Sequence, residues 1–288
     1  MNGIIVIDKP KSRTSFWVVN KIRKITGVKK VGHTGTLDPL ATGVLLVCLG
    51  EATKAADIFM DGDKVYEVTA KLGERTDTLD SDGEVVDRKD IPRDLINKDN
   101  VSKIISKFIG DIEQIPPMYS AIKKDGKPLY KLARKGVSID RDSRKIKIHS
   151  IELLDVEYPF LKFRVHCSKG TYIRTLVDDI GVELGTFAHV TELRRTKSGI
   201  FDVKDACSMD GELRVISLDK AISMAVPVVD INNELAVKIA KGYQIDFSDS
   251  VSENFAVRSP DKNGENKIVA LIKAKKVERV FNYSEWSD

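Results

Sequence analysis

The sequence predicts an α+β fold on a mainly antiparallel mixed sheet, followed by a small β-rich domain. Strand-like and helix-like segments mix along the chain without a regular strand–helix alternation, which disfavours a doubly wound parallel sheet. Near the C-terminal end, the proline-centred connection MAVPVVD (224–230) precedes short strand-like runs such as FAVRS and KIVALIKA. We therefore predict a large domain over residues 1–225 and a small one over residues 226–288.

The composition is typical of a globular protein and excludes several other classes. The chain has 288 residues, of which 42% are hydrophobic and 31% charged. No apolar run is long enough to cross a bilayer, and the N-terminal run IIVI is too short for a signal peptide. The three cysteines are far apart, so we expect reduced thiols in a cytoplasmic protein. The four histidines are scattered, so we expect no metal site, and a monomer is the default assumption.

The first elements follow from periodicity and capping. IIVID (4–8) reads as a strand. TSFWVVNKIRKITG reads as a helix that Thr14 or Ser15 caps and Gly27 ends, with Phe16, Val19 and Ile22 on its apolar face. VLLVCLG then reads as a buried strand, and EATKAADIF as a short helix.

Later elements show clearer patterns. VYEVTAKL alternates as a strand, and ERTDTLDSDGEVVDRKD is acidic and turn-rich, typical of a mobile connection. VSKIISKFIG has helical spacing, and LKFRVHCS alternates again. GTYIRTLVDDIGVELG reads as a helix with an apolar stripe. The residues expected to share an apolar face in these four segments are the following. They are Tyr66, Val68, Ala70 and Leu72 in VYEVTAKL, Val101, Ile104, Ile105, Phe108 and Ile109 in VSKIISKFIG, Leu161, Phe163, Val165 and Cys167 in LKFRVHCS, and Ile173, Leu176, Val177, Ile180 and Leu184 in GTYIRTLVDDIGVELG.

Positive charge is concentrated in two segments although the net charge is only +4. Residues 9–30 contain eight Lys or Arg and no acid, and residues 121–147 contain ten against three acids. Segregation of this kind favours a surface for a polyanion, nucleic acid first. The alternative is that each run is simply a solvated face.

The first motif that could carry chemistry is GHTGTLDPLATGVL (32–45), which places Asp38 in a loop rich in Gly, Thr and Pro just before a buried strand. A reactive carboxylate must be accessible yet held in one orientation, and such a loop can provide both conditions. Asp-Pro is also a common turn starter, so composition leaves a purely structural role open. A P-loop is excluded, because GxxxxGK[ST] is absent.

The second motif is CSKGTYIRTL (167–176), in which Tyr172 and Arg174 begin a helix. A cation at a helix N-terminus is disfavoured by the helix dipole, so a buried carboxylate or phosphate partner would explain Arg174. The alternative to a buried anionic partner is a purely structural role, with Arg174 exposed and Tyr172 packed in the core. Taken alone, Tyr66 is best read as a core residue and His33 as a hydrogen-bonding loop residue.

Together these motifs resemble the TruB family of tRNA pseudouridine synthases. The resemblance covers about residues 3–200 and includes GHTGTLDPLATGVL, KVYEVTAKLGERTDT, CSKGTYIRTLVDDIG and AHVTELRRTKSG, with DKPKSRTSFWVVNKIRK similar to the family's opening KPxGxTS segment. Ser12 stands where that segment usually has glycine. The C-terminal part is more weakly similar to a PUA-type RNA-binding domain.

The resemblance implies isomerisation of uridine 55 in the T-stem-loop of tRNA, with no cofactor and no metal. It implies that Asp38 is the nucleophile, attacking either the uracil ring or the ribose, and that Arg174 is its cationic partner. The target base has to be flipped out of its stack. By the same resemblance, Tyr66 stacks on the base, His33 fills the vacated space, and Tyr172 and Leu193 line the pocket. The basic segment 121–147 then reads as an element that follows RNA phosphates.

Two other functions stay open at this point. The first is a non-catalytic RNA-binding protein or tRNA-folding chaperone on the same scaffold. The second is an isomerase that acts on a uridine of another RNA inside a protein complex. Mapping pseudouridine in a tRNA transcript exposed to the chain distinguishes all three, since only the predicted enzyme modifies that transcript by itself.

Overall fold

The computed structural model describes residues 1–124, 126–247, 252–261 and 263–281. The strands are β1 (Gly3–Lys9), β2 (Val31–Thr34), β3 (Thr42–Leu49), β4 (Lys64–Leu72), β5 (Glu74–Thr76), β6 (Val85–Arg88), β7 (Gly110–Gln114), β8 (Lys123–Lys124), β9 (Lys127–Pro128), β10 (Arg144–Glu157), β11 (Phe160–Cys167), β12 (Ala188–Ser198), β13 (Phe201–Asp202), β14 (Ile216–Ser217), β15 (Val228–Asp230), β16 (Asn254–Pro260), β17 (Asn266–Lys273) and β18 (Lys276–Val280). The helices are α1 (Ser15–Thr26), α2 (Ala56–Met60), α3 (Lys98–Ser106), α4 (Leu129–Ala133), α5 (Ile173–Glu183), α6 (Leu218–Ala225) and α7 (Asn233–Ala240), with 3₁₀ turns at Gly50–Ala55, Arg93–Leu95 and Val203–Asp205.

The main sheet has the strand order β14-β1-β3-β12-β4-β11-β10-β7, with β2 added to β3 and β13 added to β12. All of these strands pair antiparallel except β3 and β12, which pair in parallel where Arg194 and Arg195 meet Thr42 and Gly43. The predicted α+β fold on a mainly antiparallel mixed sheet is confirmed.

One face of β4 and β11 forms the core, and the other is polar. The face of β4 that carries Tyr66, Val68, Ala70 and Leu72 is buried, as predicted, and so is the matching face of β11. Helices α1, α3 and α5 contribute apolar residues to this core. On the opposite face, which we term the outer face, Arg164 of β11 pairs with Glu67 of β4 and Glu152 of β10. The two faces therefore separate apolar packing from charge.

Three local predictions need correction. Phe16 is 63% exposed, and the buried stripe of α1 is Ser15, Val18, Val19 and Ile22. Helix α3 ends at Ser106, so Phe108 and Ile109 lie beyond it. The acidic connection contains a short hairpin, β5 with β6, rather than only loop. The predicted caps of α1 are confirmed, because Thr14 Oγ1 accepts a hydrogen bond of 3.0 Å from Trp17 N, and Gly27 has a φ of 68°.

The C-terminal part forms a separate small β domain with its own core. Strands β15, β16, β17 and β18 make a four-stranded sheet, and α7 packs its Ala236 and Ile239 against that sheet. Side chains of α6 join this sheet to the outside of β1 and β3. The sheet lies within the predicted 226–288 range, of which residues 248–251, 262 and 282–288 lie outside the described residues. In the described part of the chain, no helix is both long and apolar enough to cross a membrane.

Candidate active site

The loop that carries Asp38 lies where two strands share one edge of β3. Strand β2 pairs with the second half of β3, whereas β12 pairs with its first two residues. Between them the chain leaves the sheet, and helix α1 anchors it: Ser15 Oγ lies 2.9 Å from Leu37 N and 3.0 Å from Leu37 O. Ala41 N donates to Asp38 O at 3.1 Å and closes the turn. The backbone, not the carboxylate, therefore fixes this loop.

A buried lysine holds the other side of the loop. Lys9 Nζ donates to the carbonyls of Arg13 and Pro39, at 2.6 and 3.2 Å, and also to that of Pro10. Burial lowers the pKa of Lys9 to about 8, against the opposing effect of the Asp38 charge. The prediction that Lys9 belongs to a basic RNA-binding surface is wrong, because its side chain is fully buried.

Ser12 sits next to this lysine with a φ of 61°, in the left-handed region that favours glycine. Its N–H donates to Pro39 O at 2.9 Å, so the strained backbone is tied to the Asp38 loop. The serine therefore keeps the conformation for which the family's usual glycine is suited, at a cost of about 1–2 kcal/mol.

Arg174 forms a two-pronged ion pair with Asp38. Arg174 Nε lies 2.9 Å from Asp38 Oδ2, and Nη2 lies 3.1 Å from Oδ1. The guanidinium also donates to Thr78 O and to Tyr119 O, each at 2.7 Å. Its side chain is 5% exposed, whereas that of Asp38 is 32% exposed. A cation at the N-terminus of α5 is explained by this partner, and the carboxylate stays accessible from solvent.

A second carboxylate, Asp80, lies on the far side of the same guanidinium. Its Oδ2 is 3.4 Å from Arg174 Nη1, and its Oδ1 accepts from Thr78 Oγ1 at 2.6 Å and from Asp82 N at 3.1 Å. Burial is the main cause that raises the pKa of Asp80, and the Asp38 charge acts in the same direction. The sequence does not single out Asp80, because it is one of several acids in a turn-rich stretch and only the fold brings it to Arg174.

Tyr66 and Leu193 form an apolar wall on adjacent strands, and Tyr66 lies close enough to Asp38 to feel its charge. Both side chains are buried, at 8% and 6% exposure. Burial raises the pKa of Tyr66, against the opposing effect of Arg195, which faces it across the β4–β12 pair. The buried Arg195 also donates to Val44 O at 2.8 Å and to Gly35 O at 3.1 Å. This arginine, missed in the sequence, links the wall to the start of the Asp38 loop.

Glycine is required where this wall meets β3. Gly43 has a φ of +101°, and a Cβ there would lie 2.1 Å from the carbonyl oxygen of Arg195. The close parallel contact of β3 and β12 therefore depends on the absence of a side chain at this position.

Tyr172 and His33 complete the set of predicted site residues. Tyr172 occupies the N-cap position of α5. Its backbone is held by Gln114, whose Oε1 accepts from Tyr172 N at 2.8 Å and whose Nε2 donates to Tyr172 O at 3.0 Å. Burial raises the pKa of the Tyr172 hydroxyl. His33 lies on β2, and burial, followed by the Arg195 charge, lowers its pKa. Its Nδ1 is sealed from solvent and has no hydrogen-bond partner among the described residues.

The site therefore joins segments that are far apart in the chain around the partly exposed carboxylate of Asp38. Asp38 and Arg174 are in direct contact, and the charge of Asp38 also contributes to the raised pKa values of Tyr66 and Tyr172. Such an arrangement supplies a positioned carboxylate, a fixed counter-charge and aromatic and apolar walls.

The four histidines are scattered along the sequence, but the fold brings two of them together. Asp63, His149 and His166 present potential metal ligands within 4.8 Å of one another, so the scatter does not support the expectation of no metal site.

Solved structures with a similar fold define the class of protein. A Cbf5–Nop10–Gar1 complex matches with a TM-score of 0.72 and 28% identity, over 99% of this chain and 86% of that one. An archaeal box H/ACA Nop10–Cbf5 complex matches with a TM-score of 0.69 and 26% identity, over 99% of this chain and 87% of that one. The fold is that of a pseudouridine synthase.

Sequence comparisons identify the family. The model for the TruB family pseudouridylate synthase N-terminal domain matches residues 23–173, and that for the tRNA pseudouridylate synthase B C-terminal domain matches residues 174–216. The tRNA pseudouridine synthase B of Syntrophotalea carbinolica is 52% identical over 210 residues, covering 73% of this chain and 68% of the relative. That of Pasteurella multocida is 40% identical over 271 residues, covering 90% and 87%. The chain belongs to the TruB family of pseudouridylate synthases, which confirms the resemblance found in the motifs.

Proposed function

We propose that this chain isomerises uridine 55 in the T-stem-loop of tRNA to pseudouridine, with Asp38 as the nucleophile and with no cofactor. The observation that carries the proposal is the two-pronged contact between Arg174 and the partly exposed Asp38 carboxylate. The names of the relatives, tRNA pseudouridine synthase B, support tRNA as the substrate.

The chemistry requires only groups that the chain supplies. The bond between uracil nitrogen and ribose breaks, the ring turns, and a carbon–carbon bond forms while the ring carbon loses its proton and the nitrogen gains one. Atoms and electrons balance, so no oxidant or reductant is consumed. Asp38 can act by adding to the uracil ring or by displacing uracil from the ribose carbon, and both routes use the same carboxylate. Arg174 provides the fixed counter-charge that orients it.

The target uridine reaches Asp38 only after it leaves the RNA stack, at a cost of a few kcal/mol. In this proposal, Tyr66 stacks on the flipped base, His33 fills the space that it vacates, and Tyr172 and Leu193 line the pocket. The burial of Tyr66 and Leu193 supports this assignment, because dry walls exclude water from the reacting ring.

The Tyr66 assignment predicts different results for two substitutions. Tyr66→Phe keeps the ring face and should retain tight tRNA binding, whereas Tyr66→Ala removes it and should weaken binding by about 1–3 kcal/mol. Titration of each variant with a labelled tRNA transcript measures the difference. Equal losses in both variants would mean that the hydroxyl beside Arg195, rather than the ring face, is what matters.

The basic segment 121–147 is proposed to track tRNA phosphates. It begins two residues after Tyr119, whose carbonyl accepts from Arg174, and the side chains of Lys123 and Lys124 are exposed on the short β8–β9 hairpin. Asp125, one of the three acids of this segment, lies outside the described residues. We also propose that the chain acts as a monomer in the cytoplasm and divides into a catalytic domain over 1–225 and an RNA-binding, PUA-like domain over 226–288.

Reversing the charge of Lys123 and Lys124 together to glutamate should weaken tRNA binding through lost phosphate contacts. Each lost contact should flatten the slope of log K against log salt by about one unit. Binding measured at several salt concentrations checks this result. The matched control reverses Lys98 and Lys103, which are exposed on α3 outside both basic segments. If both double variants bind alike, the 121–147 segment is only a solvated face.

The decisive experiment exposes the purified chain to an unmodified tRNA transcript and to the same transcript with cytidine at position 55. We expect pseudouridine at position 55 of the first transcript and none in the second. Binding without any chemical change would favour the RNA chaperone. Modification at another uridine would leave the enzyme class intact but refute the assigned position.

A further inference from the structure

Three side chains on the outer face of the main sheet converge at a point that the proposed reaction does not use. Asp63 immediately precedes β4, His166 lies on β11, and His149 lies on β10. His166 pairs in register with Val65, so it points away from the face that carries Tyr66. A register shift between Ile148 and Ser150 leaves His149 as an extra residue, directed to the same outer face. The cluster therefore lies behind the pocket wall, not in the pocket.

The distances within this cluster match those of a metal site. Asp63 Oδ2 lies 3.1 Å from His149 Nε2 and 3.6 Å from His166 Nε2, and the two imidazole rings stand 4.5 Å apart. Ligands about 2.0–2.2 Å from a tetrahedral Zn²⁺ are separated by roughly 3.4 Å, which falls between the first two distances. All three ligand atoms lie within 4.8 Å of one another, so a closing of the widest separation would place one ion among them.

The contact between His149 and Asp63 is close, at 3.1 Å, but it is not a hydrogen bond. The Nε2 atom of His149 is sealed from solvent and makes no hydrogen bond within the described residues, although Asp63 Oδ2 is near. A buried polar atom without a hydrogen bond is costly and requires an explanation. Nearby cations do not take the carboxylate: Lys169 pairs with Asp61 at 2.7 Å, and Lys64 donates to the carbonyls of Met60 and Gly62.

We propose that Asp63, His149 and His166 bind a divalent transition-metal ion of the zinc class. Two imidazole nitrogens and one carboxylate oxygen are the ligands that such an ion prefers, and hard Mg²⁺ does not favour imidazole. The partial exposure of His166 and Asp63 leaves the fourth position open to water. The ion would join β4, β10 and β11, and so stabilise the strand that carries Tyr66 three residues after Asp63. It takes no part in the isomerisation, because the sheet separates it from Asp38.

Zinc titration of the untagged full chain tests this proposal. We expect calorimetry to give one zinc ion per chain, and zinc but not magnesium to raise the midpoint of thermal unfolding. Asp63→Asn and His166→Gln should each weaken zinc binding at least about tenfold. Both side chains are partly exposed, so neither change should prevent folding. The matched control is Glu152→Gln, which removes a carboxylate from the same outer face and should keep full zinc affinity.

Cobalt substitution excludes binding through cysteine. The buried thiol of Cys167 follows His166 directly, so a thiolate-to-cobalt charge-transfer band would reveal a different site. We expect only the weaker bands of nitrogen and oxygen ligation, lost in Asp63→Asn. A thiolate band, no zinc effect on the natural chain, or equal zinc affinity in Asp63→Asn would each overturn the proposal. Isomerisation is expected to continue in the presence of a chelator.

Discussion

Replacing Asp38 with asparagine is expected to reduce pseudouridine formation by about 10⁴-fold or more, the scale of loss when a nucleophile is removed. An amide is a far poorer nucleophile than a carboxylate and offers Arg174 no charge to pair with. The side chains have nearly the same size, and the loop is held by backbone contacts with Ser15, Ser12 and Lys9. Arg174 keeps its bonds to Thr78 O and Tyr119 O. Stability and tRNA affinity should therefore change little.

Single-turnover measurements at saturating enzyme separate this chemical loss from a binding loss. Thermal unfolding and tRNA titration are followed in parallel, and Asp155→Asn, an exposed carboxylate of β10, is the matched control. Substantial turnover by Asp38→Asn would refute the nucleophile assignment. Loss of the fold would instead favour a purely structural role for the loop.

Replacing Arg174 with lysine should lower the free energy of unfolding by about 3–5 kcal/mol and should also abolish turnover. The guanidinium reaches Asp38, Asp80, Thr78 O and Tyr119 O at once. An ammonium group has no planar fork and cannot satisfy these acceptors together. Two carboxylates and two backbone carbonyls then compete for one smaller cation, so the positive charge alone does not rescue the site.

Urea unfolding measures the change in stability, and turnover is assayed at a temperature where the variant is still folded. Arg164→Lys provides the comparison, because this exposed arginine also joins two carboxylates, Glu67 and Glu152. Exposed pairs of this kind contribute about 0–1 kcal/mol. Similar losses in the two variants would mean that the buried network at Arg174 has no special role.

The sequence predicts the parts of this molecule that depend on local order. Alternation in VYEVTAKL and LKFRVHCS placed the inward face of both strands correctly, because burial on one face of a sheet imposes a period of two. The unfavourable position of Arg174 at a helix start left two interpretations open, and the structure favours an anionic partner over an exposed arginine, because Arg174 is buried against Asp38 and Asp80. Phe16 was misplaced, because several apolar residues in α1 offered competing stripes and tertiary packing chose among them.

The remaining features depend on which strands become neighbours, and local patterns do not contain that information. Asp80 reaches Arg174 only because the turn-rich stretch folds back over α5. In the sequence Lys9 is indistinguishable from a surface lysine, and only the fold buries it against the Asp38 loop. His149 and His166 come together through a register shift in β10. The identity of the modified uridine is likewise a property of the bound RNA, and its prediction rests on the family resemblance alone.

The position of β1 has a consequence for how the chain is made. This strand, Gly3–Lys9, pairs on one side with β3 but on the other with Ile216 and Ser217, and Ile7 meets Cys207. At about 5–20 residues per second, a ribosome needs roughly 10–40 s to extend the chain from β1 to its partners Ile216 and Ser217. Throughout that time one edge of an apolar strand stays open in the nascent chain, where an unpaired edge invites aggregation. The partner of Asp38, Arg174, is likewise made 136 residues later in the chain. An emerging chain can therefore pair Asp38 only after Arg174 has been made, and can close this strand edge only after residue 217 has been made.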